Sequence, residues 1–164
     1  MIQDLLAQLT TFVDGLEPWQ QVLALVPVGA IPFIESYFGS LLGTVVGISP
    51  LIAVPAAVLG NLLCTFGIVA LTGRARDAVA QGRSRGAGTE PSGFRRKVAN
   101  ALDKYGVPGV CLLGPLLVAS QITAPALVAL GATRRQVYVW MAVSITAWGV
   151  LFGAFGNLVG AAIS

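Results

Sequence analysis

Glu35 is the only charged side chain between Glu17 and Arg74, and it stands in Pro32-Phe33-Ile34-Glu35-Ser36-Tyr37 within an otherwise apolar stretch. A charge at the centre of a bilayer costs about 2.5–3.5 kcal/mol on insertion scales, so a carboxylate kept there faces a partner or a water-filled cavity and marks an ion or substrate route. Burial also disfavours the ionised form of a carboxyl group. A site of this kind is therefore a proton acceptor or cation site, switched by substrate or by access to one side. The plainer alternative is a carboxylate solvated by headgroups beside Tyr37. Asn61, Ser120, Gln121 and Thr123 are the candidates to hydrogen-bond around Glu35 from facing elements, or else to act as glue between helices. With Pro32, Ser36, Tyr37 and Pro115 they make up the expected substrate and proton site.

Other chemistry finds little support. The chain has no histidine and two cysteines. Cys64 and Cys111 each lie in an apolar segment without a CxxC or a His partner, so no metal, haem or other cofactor is expected. Each reads as a small hydrophobe. No nucleophile and base can be paired, and no phosphate loop is present, so the chain is not expected to be an enzyme. Nor is a nucleic-acid partner expected.

The elements that must position Glu35 are read from composition and run length. Hydrophobic residues make up 55% and charged residues 10% of the 164. Crossing the hydrocarbon core takes about 20 apolar residues of helix. Residues 49–72 and 136–160 supply such runs without a charge. The first 73 residues contain no Lys or Arg, whereas Arg74, Arg76, Arg83, Arg85, Arg95, Arg96, Lys97 and Lys104 fall within 74–104. By the positive-inside rule residues 73–104 form a cytoplasmic loop, and Arg134-Arg135 share that side. Residues 105–133 then enter from the cytoplasm and return. Pro115 and Pro125 bracket a break containing Ser120, Gln121 and Thr123, as expected of a re-entrant hairpin. Residues 18–47, with Pro27, Pro32 and the polar run at Glu35, form its counterpart. Four ordinary crossings are the rival topology.

Small residues recur at helix-packing spacing: Gly39, Gly43 and Gly47 in the first half, and Gly149, Gly153, Gly156 and Gly160 in the last helix. They serve either internal packing or a homodimer contact, and the last helix is the favoured dimer face. Residues 81–93 have linker composition. Residues 94–104, with Phe94, Val98 and Leu102 on one face, read as a basic helix on the inner leaflet. Residues 1–17 read as an amphipathic helix on the outer surface. The start lacks the basic region and cleavage site of a secretory signal.

The stretch Gly29-Ala30-Ile31-Pro32-Phe33-Ile34-Glu35-Ser36-Tyr37-Phe38-Gly39, with Ala57-Val58-Leu59-Gly60-Asn61 and Lys104-Tyr105-Gly106, resembles the bacterial small multidrug export proteins. The resemblance implies a compact inner-membrane protein that exports drug-like compounds. The paired hairpins with an early Glu near Pro are similar, more distantly, to the DedA-type membrane proteins, which implies translocation of a polyprenyl-phosphate lipid carrier. Here the second hairpin contains no Arg and Arg134 follows it, so Arg134 and Arg135 are the candidate phosphate-binding residues.

The expectation is thus an all-α integral membrane protein of two inverted repeats, each a re-entrant helical hairpin followed by a transmembrane helix, sitting in the bacterial cytoplasmic membrane as a homodimer. It would move a small amphipathic or cationic compound, coupled to protons through Glu35. The alternatives are a polyprenyl-phosphate translocase and a non-transporting membrane scaffold.

Overall fold

The computed structural model describes residues 2–82 and 93–163. Among these the structure is all-helical: α1 Ile2–Asp14, α2 Pro18–Ala30, α3 Glu35–Val45, α4 Pro50–Gly82, α5 Gly93–Leu113, a 3-10 turn Gly114–Leu116, α6 Ser120–Leu130 and α7 Arg134–Ile163. Two segments are long and apolar enough to cross a membrane, Pro50–Ala75 of α4 and Arg134–Ala162 of α7. The chain forms two compact units, residues 1–64 with 143–164, and residues 65–142.

In the first unit, Pro18 sits in the first turn of α2, where a missing N–H removes no helical bond. Just before it, the Glu17 N–H donates to the Gln20 side chain at 3.1 Å. The helix ends at Ala30 ahead of Pro32, whose ring disfavours helical geometry in the residue before it. α1 turns Val13 into a core formed with Leu25, Leu42, Ala53 and Ala56 and leaves Phe12 outside. The amphipathic N-terminal helix therefore packs on the protein through its apolar face. Glycines set the close approaches. A Cβ on Gly29 would strike the backbone of Ala57, and one on Gly60 the backbone of Val26, so α2 and α4 touch main chain to main chain. Gly43 of α3 meets Leu25 and Ala53, and Gly39 meets Ala57.

α7 runs antiparallel to α4 here: Gly149 lies against Val58 and Gly153 against Val54. Gly149, Gly153 and Gly156 also lie against Ser36, Ser40, Leu41 and Thr44 of α3. The stripe favoured above as a dimer contact is thus filled by the chain itself over these three positions. Gly47 does not extend the Gly39/Gly43 stripe. With φ at +91° and nothing within reach of a Cβ, it makes the left-handed turn between α3 and α4 that other residues resist.

In the second unit α4 continues past Thr72, where the sequence suggested an end, to Gly82. Residues 74–80 contain three alanines and no proline, so the helix propagates through the single Gly73. α5 joins two helices across a break at Gly106, whose φ of +65° no longer follows the helix. That break falls close to the boundary expected between the basic stretch 94–104 and residues 105–133. After it, the end of α5, the 3-10 turn and α6 fold back on one another around Val110, Cys111, Leu127 and Val128. Phe66 and Tyr138 pair edge to face with ring centres 4.8 Å apart. Residues 83–92, which hold most of the expected linker, lie outside the described residues.

Candidate functional site

The break between α2 and α3 presents Glu35. Its backbone is left-handed at two non-glycine residues, Phe33 with φ +69° and Glu35 with φ +53°. Such geometry costs about 1–3 kcal/mol per residue and persists only where surrounding bonds fix it. They do here: Ile34 and Glu35 both donate backbone N–H groups to the Ile31 carbonyl, at 3.1 and 3.0 Å, and the Tyr37 hydroxyl donates to the Phe33 carbonyl at 3.2 Å. Tyr37 thus clamps the turn, its ring held against Phe38 and Phe152. Pro32 is exposed at the apex and works through the chain direction it imposes.

The result is a carboxylate 1% exposed on the first residue of α3. Asn61, wholly buried on α4, donates its side-chain amide to Glu35 Oε2 at 3.3 Å. A donor so placed stabilises the charged carboxylate and still bonds the carbonyl oxygen of the protonated acid. Ser36 does not turn to Glu35; its hydroxyl donates to the Ile145 carbonyl of α7 at 2.7 Å.

A second polar group lies in the second unit. Ser120 shares a hydrogen bond of 3.1 Å with Thr65 and donates to Gln121 Oε1 at 3.4 Å. Thr123 donates to the Val118 carbonyl at 3.0 Å and fastens the turn into α6 against Gly114, and Pro115 is buried. The sequence-derived site residues therefore divide: Glu35, Ser36, Tyr37 and Asn61 belong to one unit, and Pro115, Ser120, Gln121 and Thr123 to the other. Arg134, the phosphate candidate, donates to the Gly73 carbonyl at 2.7 Å and pairs with Asp77. Arg135 is exposed.

Four buried hydroxyl residues are additions to the expected site: Ser40, Thr44, Thr65 and Ser144. Thr65 follows Asn61, and Ser40 and Thr44 follow Ser36, at intervals of one helical turn, the signal that would have found these three; Ser144 has no such signal. Among the described residues no group of three or more His, Cys, Asp or Glu is placed to hold a metal ion. Comparison of the chain with family models, with curated proteins and with solved structures yields no match.

Proposed function

We propose that the protein is a small transporter of the bacterial cytoplasmic membrane that moves small amphipathic or cationic, drug-like compounds, coupled to protons through Glu35. The buried Glu35–Asn61 pair carries this reading. A carboxylate withdrawn from water, in a chain with two helices fit to cross a bilayer, is the arrangement that proton-coupled carriers need. Its position at a helix break agrees with a site at membrane depth, since non-helical backbone there lines a cavity or is buried in protein.

The lengths of the short helices support the same frame. α2 has 13 residues, α3 11 and α6 11. At about 1.5 Å per residue, helices of this length rise about 16–20 Å against a hydrocarbon core of about 30 Å. Helices of that depth suit re-entrant hairpins, each preceding one of the long helices in an inverted pair of repeats. Leu51, Leu59, Leu63, Val150, Leu151, Phe155 and Leu158 point outward from α4 and α7, an apolar surface suited to lipid.

A second reading, translocation of a polyprenyl-phosphate carrier, draws on the forked guanidinium of Arg134, which suits phosphate once released from Asp77. Proteoliposome assays with both substrate classes test the two. Glu35→Gln is expected to abolish proton-linked movement of cationic compounds with the fold intact. Loss of lipid-phosphate transfer in Arg134→Ala, with Glu35→Gln active, would replace the first reading by the second. Wild-type activity of both variants in both assays would overturn the site assignment.

A further inference from the structure

Three helices of the first unit end around one open cleft of about 470 Å³. Asp14 closes α1, Val45 closes α3, and Asn157 and Ala161 lie in the last two turns of α7; all four line the cleft. A helix end carries about half a negative charge, and none of these three has a basic residue in its last turn to offset it. Against them α4 brings a single helix start, at Pro50, which has no N–H to offer. Beyond α3 the N–H groups of Val46, Gly47 and Ile48 go to the carbonyls of Leu42, Thr44 and Gly43. The carbonyls of Val45 and Val46, two residues of the cleft wall, receive no main-chain N–H among the described residues.

The side chains carry the same bias. Asp14 supplies a carboxylate that makes no ion pair among the described residues, and Ser49 and Asn157 add a hydroxyl and an amide. All three are exposed. Within the first unit Asp4, Asp14, Glu17 and Glu35 are opposed by no Lys or Arg. A cleft of this charge repels anions and draws a cation from outside the unit. Much of the remaining lining is apolar, with Val46, Ile48 and Pro50. Its volume falls within the range of about 300–1,000 Å³ that small-molecule sites occupy.

We propose that this cleft binds small amphipathic organic cations, an ammonium group held by the Asp14 carboxylate and the end of α3, the apolar body lying against Ile48 and Pro50. An ammonium group brings three donors and no acceptor, which suits a carboxylate, main-chain carbonyls and the side-chain oxygen of Asn157. The pairing of one charge with its opposite inside a partly apolar cleft selects against neutral compounds of the same shape. The inference deepens the proposed function, on which its place in transport rests, by giving the moved compound a second site at the other end of α3 from Glu35. Ten residues of helix separate Glu35 from Val45, a rise of about 15 Å. The two carboxylates are therefore separate stations, and Asp14 can hold a cation whatever the state of Glu35.

The test titrates dansylcadaverine, a fluorescent primary ammonium compound, into the full chain in nanodiscs of zwitterionic lipid, with empty nanodiscs subtracted. The wild type is expected to bind it, and Asp14→Asn to lose about 10-fold or more in affinity, the effect of one charge-assisted hydrogen bond. The uncharged N-acetyl derivative should bind the wild type more weakly by a similar factor. Asp4→Asn removes the same charge from the same helix outside the cleft and should bind as the wild type does. Ser49→Trp fills the cleft while leaving Asp14 in place and should abolish binding. No binding by the wild type, equal affinity in Asp14→Asn, equal losses in Asp14→Asn and Asp4→Asn, or undiminished binding in Ser49→Trp would each overturn the site. The transport reading falls separately: if Glu35→Gln moves cations as well as the wild type while Asp14→Asn still loses binding, the cleft stands and the coupling does not.

Discussion

The side-chain amide of Asn61 and the carboxylate of Glu35, 26 residues apart in the chain, meet at 3.3 Å inside the first unit. Asn61→Ala removes a donor from a buried carboxylate and is expected to cost about 1–3 kcal/mol in unfolding experiments in detergent. Glu35→Gln keeps an oxygen for the Asn61 amide and should cost less. In the double variant the two effects should be non-additive, as for residues sharing one bond. Additive costs would mean that the pair contributes nothing as a pair.

Main-chain contact between α2 and α4 predicts a contrast among glycines. Gly29→Ala and Gly60→Ala each drive a methyl group into the backbone of the neighbouring helix and should destabilise strongly or prevent folding. Gly67→Ala, on the same α4 and facing open space, should be neutral or gain up to about 1 kcal/mol from helix propensity. Thermal unfolding of the three variants reads this directly.

Gly153 lies against Val54 and Ser40 of its own chain. Gly153→Leu should therefore lower the yield and stability of folded protein in detergent. A folded Gly153→Leu monomer from a dimeric wild type, seen by mass measurement in nanodiscs, would instead assign the stripe to self-association.

Arg134 and Asp77 are both substantially solvent-exposed, at 39% and 55%. Exposed ion pairs contribute about 0–1 kcal/mol, so Asp77→Asn should leave stability almost unchanged. The same change loosens the Arg134 guanidinium and should strengthen binding of vesicles rich in phosphate headgroups. Unaltered vesicle binding would remove Arg134 as a phosphate ligand.

Local signals of the fold were legible because they act over a few residues. Pro32 announced the break before α3, and the charge-free runs the two long helices. The charge-free run ends before Arg74 and so set the end of the helix at Thr72, but the alanines beyond Gly73 propagate α4 to Gly82. Gly39, Gly43 and Gly47 share a spacing but not a role, since two of them meet neighbouring helices and the third turns the chain. At the site, the carboxylate itself stood out as the lone charge in an apolar stretch, and Asn61 proved to be its partner. Ser40 did not stand out. A serine in an apolar helix looks ordinary until another helix closes over it, and only tertiary packing reveals that its hydroxyl is left over.

The first unit is interrupted in the chain, its share of α7, from Val143 on, arriving after residues 65–142 have been made. Glu35 and Asn61 can meet once the first 64 residues exist, but Ser36 waits for Ile145, 109 residues later, to satisfy its hydroxyl. During synthesis the hydroxyl face of α3 stays uncovered until residues 145–156 have been made. Contacts of such sequence separation form late and slowly, so a truncated chain should keep its carboxylate pair yet remain open to chaperones along Ser36, Ser40 and Thr44.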